Sequence, residues 1–228
     1  MQENERNRTK AGEHLAHARP LVERCLVLTG LVPLPAFLVL HLTRELWLGS
    51  PADVSELIRA PREPLSQLTS VLLVWLPLAI HAALGAWLLV TRRRLRFGDR
   101  KTAARWTTAL SRWTGAFALL FILQHAREYP LAVLLGEADA RDAGLRSIAS
   151  LSATQYGFPL RSGFYLLGLA ATATHAALGV HSALSALGVV KTERGRALSR
   201  RACAATGAAV FALGAAAVIR VATGVLLR

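Results

Sequence analysis

The sequence predicts an all-α integral membrane protein: a bundle of five transmembrane helices, with the N-terminus cytoplasmic and the C-terminus outside. Three observations carry this reading. Of the 228 residues, 53% are hydrophobic and only 18% are charged. Those charges are gathered into short stretches between long apolar runs, whereas a water-soluble fold spreads its charges over its surface. Lys and Arg are concentrated in alternate connections, as the positive-inside bias requires.

Residues 1–23 are polar and charged and read as a cytoplasmic tail. No A-x-A cleavage site follows the first apolar run, so no removable signal peptide is expected. Residues 24–228 read as one transmembrane domain. A helix needs about 20 apolar residues to cross a bilayer. The stretches 24–47, 68–91, 106–129, 163–190 and 202–227 meet that length, and helices are the open-chain way to satisfy backbone polar groups in lipid. The tail (through Arg24) and the second-to-third and fourth-to-fifth connections hold seventeen Lys and Arg. The other two connections hold five, namely Arg59, Arg62, Arg141, Arg146 and Arg161, together with Asp53, Glu56, Glu63, Glu137, Asp139 and Asp142. The fifth run is rich in Ala and Gly, carries no histidine and reads as a packing helix. Its Arg220 is expected to snorkel outward. The five tryptophans mostly sit near helix ends, as an interfacial belt does.

The net charge of +13 is explained by those basic connections. No soluble basic domain remains to bind nucleic acid, and the basic loops are expected to face anionic lipid and a soluble partner. The two cysteines, Cys25 and Cys203, form no CxxC or CxxCH motif. Thiolate zinc and covalently attached haem are therefore unsupported.

His14 and His17 lie in the tail and read as solvated. His41, His81, His125, His175 and His181 lie inside the expected spans. An ionisable residue at mid-membrane costs a few kcal/mol and usually has a partner or a job. A lone one is most often a hydrogen-bonded packing residue, but one on each of four successive spans is hard to dismiss as packing.

An internal repeat sharpens this. His81-Ala82-Ala83-Leu84-Gly85 in the second run recurs as His175-Ala176-Ala177-Leu178-Gly179 in the fourth. Thr29-Gly30 before His41 recurs as Thr114-Gly115 before His125. Counted along the helices, His41 and His125 fall near the outer face, and His81 and His175 between the centre and the inner face. Two levels of paired imidazoles fit two stacked haems b with axial His ligands. Gly85 and Gly179, one turn beyond their histidines on the same face, leave room for a flat porphyrin. Depth alone does not choose between His175 and His181, but the repeat favours His175. His181 is left to bond a propionate, a water or a helix carbonyl.

Further segments join these histidines: Gly30-Leu31-Val32-Pro33, Leu76-Pro77-Leu78, Arg112-Trp113-Thr114-Gly115, and Gly163-Phe164-Tyr165 continuing through Gly179 to Ser182 and Gly188. With them the chain from Arg24 onward resembles the single-chain, five-helix, di-haem cytochrome b anchor of succinate dehydrogenase and fumarate reductase. The resemblance implies an inner haem b on His81 and His175 and an outer one on His41 and His125. It implies flavoprotein and iron–sulfur partner subunits on the cytoplasmic face and a quinone, typically menaquinone. It also implies a bacterial cytoplasmic membrane, with the succinate or fumarate chemistry on the partners. Some members of that family carry a glutamate linked to proton movement two residues before the fourth-span ligand. Here that position is Ala173, whose methyl group cannot carry a proton.

Quinone reduction needs hydrogen-bond donors and a proton relay near a haem edge. Arg44, Glu45, Arg127 and Glu128 lie within about one turn of the outer-level histidines and are the candidates, against a reading as helix-end ion pairs. Glu56 and Glu63 are weaker ones. Arg112 is a candidate partner for an inner propionate, against a reading as a basic anchor. Two rivals remain: a cytochrome b of a hydrogenase or formate dehydrogenase, and a haem-free transporter or structural membrane protein. Intramembrane Asp and Glu are nearly absent and no pair of broken helices appears, which weighs against the last.

Overall fold

A computed structural model describes residues 21–22, 24–31, 33–47, 68–91, 105–131, 143–155 and 158–223. Almost all of the tail, with His14 and His17, lies outside the described residues. So do Asp53, Glu56, Arg59, Arg62, Glu63, Glu137, Asp139, Arg141, Asp142 and the basic stretch 92–104. Among the described residues the chain is helical, with a single isolated bridge between Gln155 and Phe158.

The helices in order are α1 (Pro33–Trp47), α2 (Leu76–Val90), α3 (Arg105–Ala126), α4 (Ala143–Ser152), α5 (Leu160–Ala186) and α6 (Glu193–Thr223). α1 is the second part of a longer apolar helix, Arg24–Leu46. π-helical turns precede α2 (Val71–Trp75) and follow α3 (Arg127–Leu131). Among the described residues, four helices are long and apolar enough to cross a membrane: Arg24–Leu46, Leu68–Val90, Leu160–Ala186 and Glu193–Thr223. The remaining expected span is α3. Its 22 residues reach about 33 Å at the α-helical rise, but Thr107, Thr108, Ser111, Arg112 and Thr114 dilute the apolar content of its first half.

The last two helices differ from their expected bounds. α6 begins at Glu193, well before the apolar run at Ala202. Hydropathy reads the intervening charged stretch as a loop, but its local signals are helical. Thr192 Oγ1 accepts the Gly195 backbone N–H at 3.1 Å as an N-cap. Glu193 sits in the first turn, where the helix dipole favours an anion, and pairs with Arg196 at 3.0 Å. The connection from α5 is correspondingly short. It turns at Gly188, whose φ of +70° suits glycine. There the Val189 and Gly188 N–H groups return to the Leu184 and Ser185 carbonyls at 3.0 and 3.3 Å.

α5 is the centre of the bundle, packed most extensively against α6 and α3, while α2 touches α1 and α3 only sparsely. The buried cluster is Leu42, Leu169, Ala173 and Val210, with Leu38 and Phe211 against it. Large apolar side chains point outward instead: Leu40 is 70% exposed and Val90 80%. Small residues inside and large ones outside is how helices pack in lipid. α6 follows that rule with Gly207 and Gly214. A Cβ on Gly207 would lie 3.0 Å from the Ala177 side chain, and one on Gly214 would run into Leu169. Arg220, near the end of α6, donates to the Leu46 carbonyl at the end of α1. It thus satisfies an orphan helix-end acceptor.

Candidate functional site

The helices bring four histidines together as two pairs. The His41 and His125 rings stand 5.8 Å apart between centroids, at 68°. The His81 and His175 rings stand 6.1 Å apart, at 75°. Along the first span, Gly30, which faces His81, and His41 are eleven residues apart, so the two pairs are separated by about 16 Å along the helix.

The His81–His175 pair is held by backbone. His81 Nδ1 lies 3.2 Å from the Leu26 carbonyl and 3.4 Å from Thr29 Oγ1. His175 Nδ1 lies 3.0 Å from the Ser111 carbonyl. A carbonyl can only accept, so each Nδ1 carries the proton and each Nε2 keeps its lone pair. Each accepting carbonyl belongs to the residue four before a glycine, and that glycine forms the floor under the ring. A Cβ on Gly30 would come within 2.5 Å of His81 Cε1, and one on Gly115 within 2.7 Å of His175 Cε1. The repeat Thr-Gly is therefore a socket repeat. Thr29 and Thr114 turn their hydroxyls back to the Cys25 and Leu110 carbonyls, at 2.6 and 2.7 Å.

The His41–His125 pair is held by side chains. Phe37 stacks on His41 at 5.4 Å and Phe121 on His125 at 5.8 Å. Both phenylalanines lie one turn before their histidine, a Phe-x3-His repeat in the sequence that went unread. Glu45 Oε1 is 3.9 Å from His41 Nδ1. Tyr165 of α5 meets His125 edge-on at 5.8 Å.

These arrangements can be tested against a haem. Two imidazoles bound on opposite sides of one metal atom have centroids about 6 Å apart, given metal–nitrogen bonds of about 2 Å. Both pairs meet that distance. In the His81–His175 pair the free lone pair is on Nε2, the usual ligating nitrogen when Nδ1–H is bonded to a carbonyl. Open space lies before Gly85 and Gly179, with nothing within 4 Å of a Cβ on either. Among the described residues no group of three or more His, Cys, Asp or Glu is gathered to hold a bare metal ion. An axial pair, which takes its other donors from a macrocycle, does not need one.

In the comparison with curated proteins, the chain is similar to the "Succinate dehydrogenase cytochrome b558 subunit" of Bacillus subtilis (strain 168). The two are 26% identical over 174 residues, which cover 75% of this chain and 82% of the relative. No family model matches the chain, and no solved structure matches it. This likeness and the four apolar helices among the described residues together mark a multi-pass membrane protein, similar to a succinate dehydrogenase cytochrome b subunit.

The other candidates fall as follows. Glu128 accepts from Gln124 Nε2 at 2.5 Å, pairs with Arg161 Nη2 at 2.5 Å and takes a hydrogen bond from the Tyr165 hydroxyl. Arg44 and Arg127 are exposed near the two ligand-bearing turns. Arg112 is half-buried on α3, next to the Ser111 carbonyl that receives His175. His181 bonds Ser199 Oγ of α6 at 3.0 Å, which ties α5 to α6. Ala173, at 2% exposure, is part of the apolar core. Tyr165, Arg161 and Gln124 were missed by the sequence reading. Their signal was weak, a tyrosine and an arginine one turn apart at the start of the fourth apolar run.

Proposed function

We propose that this chain is the membrane-anchor cytochrome b subunit of a succinate:quinone oxidoreductase. It holds two haems b, an inner one between His81 and His175 and an outer one between His41 and His125. The observation that carries the proposal is the pair of sockets in which Leu26 and Ser111 carbonyls hold opposed imidazoles with Nε2 unprotonated. The likeness to a succinate dehydrogenase cytochrome b558 subunit supports the choice of complex. When bound, haem b supplies one-electron transfer. The chain's own residues hold the two sites at different depths, keep water away with a lipid-facing apolar shell, and orient each imidazole.

In this reading α3 crosses the membrane as the third of five spans, the N-terminus is cytoplasmic and the C-terminus lies outside. The complex sits in a bacterial cytoplasmic membrane. A flavoprotein and an iron–sulfur subunit dock on the cytoplasmic face and carry the succinate or fumarate chemistry. Menaquinone is the quinone, exchanging electrons at the outer level, where Arg44, Glu45, Arg127 and Glu128 supply polar groups.

The test is optical and compositional. Dithionite-reduced membranes containing the chain are expected to show a b-type α-band, with about two haems per chain. His41→Ala or His125→Ala should remove one haem, and His81→Ala or His175→Ala the other. The chain should copurify with a flavoprotein. Retention of both haems in those variants, or a colourless protein with haem supplied, would overturn the reading.

A further inference from the structure

The Glu128 cluster lies outside the ligand set, and it is more elaborate than a link between helices requires. Pro130 lacks an N–H and cannot bond back to the Ala126 carbonyl, and the helix widens into the π-helical turn Arg127–Leu131. That turn carries Glu128 toward α5. There the carboxylate receives the Tyr165 hydroxyl on one oxygen, and Gln124 and Arg161 on the other. Arg161 and Tyr165 are one turn apart on α5, so one helix face offers both donors.

Tyr165 is only 6% exposed. Its ring meets His125 at 5.8 Å and 75°, and meets Phe121 at 5.4 Å and 86°. Phe121 stacks on His125 at 26° and is itself backed by Gly168, where any Cβ would collide with it. The His125 imidazole is therefore wedged between two rings, one pinned by backbone and the other by a hydroxyl tied to an ion pair. His125 cannot turn about its own axis without displacing one of them.

We propose that Tyr165 is a positioning residue for the His41–His125 site: anchored through Glu128 and Arg161, its ring fixes the plane of the His125 imidazole and so tunes the haem held there. The inference rests on the reading that His41 and His125 hold a haem. The angle between two axial imidazole planes splits the iron d orbitals of the low-spin ferric state. It is therefore visible in the largest g value of the paramagnetic resonance spectrum. Second-shell anchoring of a ligand also tunes the metal's potential.

The experiment uses the complete complex in its membranes, with redox titration and paramagnetic resonance of the wild type, Tyr165→Phe and Glu128→Gln. Tyr165→Phe keeps the ring and deletes the anchor. It is expected to retain both haems and to move the largest g value of the His41–His125 haem. It should also lower that haem's midpoint potential, because the nearby carboxylate loses a donor. The His81–His175 haem is the internal reference and should keep both values. Glu128→Gln is expected to shift the same haem. In the Glu128→Gln background, Tyr165→Phe should add little, since the hydroxyl acts through the carboxylate. Unchanged values in Tyr165→Phe, or equal shifts in both haems, overturn the proposal. If Tyr165→Phe loses the His41–His125 haem outright, Glu128→Gln decides: a shift confined to that haem upholds the proposal and no shift overturns it. Failure of the underlying reading looks different, because His125→Ala would then keep both haems.

Discussion

The two histidine pairs are held by different parts of the chain. Around His81 and His175 the restraints are backbone: the Leu26 and Ser111 carbonyls and the bare faces of Gly30 and Gly115. Around His41 and His125 they are side chains: Phe37, Phe121, Tyr165, Glu45 and the Glu128 cluster. A backbone socket depends on how closely two helices approach, and only a residue without a Cβ permits that approach. A side-chain cage depends on the identity of several residues, each contributing a little. The first should fail abruptly on one substitution, the second gradually over many.

The largest effect should come from the sockets. Gly30→Val or Gly115→Val places a branched side chain where a Cβ alone would already come within 2.5 or 2.7 Å of the facing imidazole. Overpacking of this kind costs about 1–3 kcal/mol when the surroundings can shift, and here what must shift is the ring itself. On the proposed di-haem reading, the expected result is loss of the His81–His175 haem, about half the α-band, with the other haem retained. Haem content and separate titration of the two components check it. Retention of both haems at wild-type potentials would break the comparison.

A smaller effect is expected at the cage. Phe37→Leu and Phe121→Leu each remove one stacked ring from the His41–His125 pair. A ring pair contributes about 0.5–1.5 kcal/mol beyond its buried area, so either variant alone should keep both haems. The pair should release haem more readily on mild heating, and the double variant more readily again. Spectral decay of the two components with temperature measures this. If a single Phe variant emptied the site as completely as Gly30→Val empties its own, the distinction between socket and cage would not hold.

How much of this was legible beforehand follows the same division. The apolar runs located the four long apolar helices among the described residues, because lipid imposes a length and a composition on them. The partner of each ring was legible from the HAALG repeat and from depth. The sockets were half legible: Thr-Gly stood out as a repeat, but the acceptors are main-chain carbonyls of Leu26 and Ser111, and a carbonyl has no residue type to read. The start of α6 was hidden because a hydropathy scan hears charge as loop, whereas Thr192, Glu193 and Arg196 were already a capped, dipole-matched helix start. The Glu128 cluster was hidden because its partners lie 33 and 37 residues away on another helix.

The smallest effect tests the sockets from within. Thr29 and Thr114 each direct a hydroxyl at the carbonyl one turn back, and more weakly at the carbonyl their facing histidine uses: Thr29 to Leu26 at 3.4 Å and Thr114 to Ser111 at 3.3 Å. Thr29 Oγ1 also stands 3.4 Å from His81 Nδ1, as a second acceptor. Thr29→Val therefore removes a competitor for Leu26 and a weak partner of His81 together, and the two losses offset. Thr114→Val removes a competitor for Ser111 and leaves that carbonyl more fully to His175. A hydrogen bond nets about 1 kcal/mol in a protein, and contacts this long contribute less. Both haems should stay. The His81–His175 potential should be lower in Thr114→Val, because a firmer Nδ1–H bond makes imidazole a stronger donor to ferric iron. In Thr29→Val it should be nearly unchanged. A redox titration resolving the two components decides the sign. A larger shift in Thr29→Val than in Thr114→Val would mean that the threonine hydroxyl, rather than the Leu26 carbonyl, is the main partner of His81.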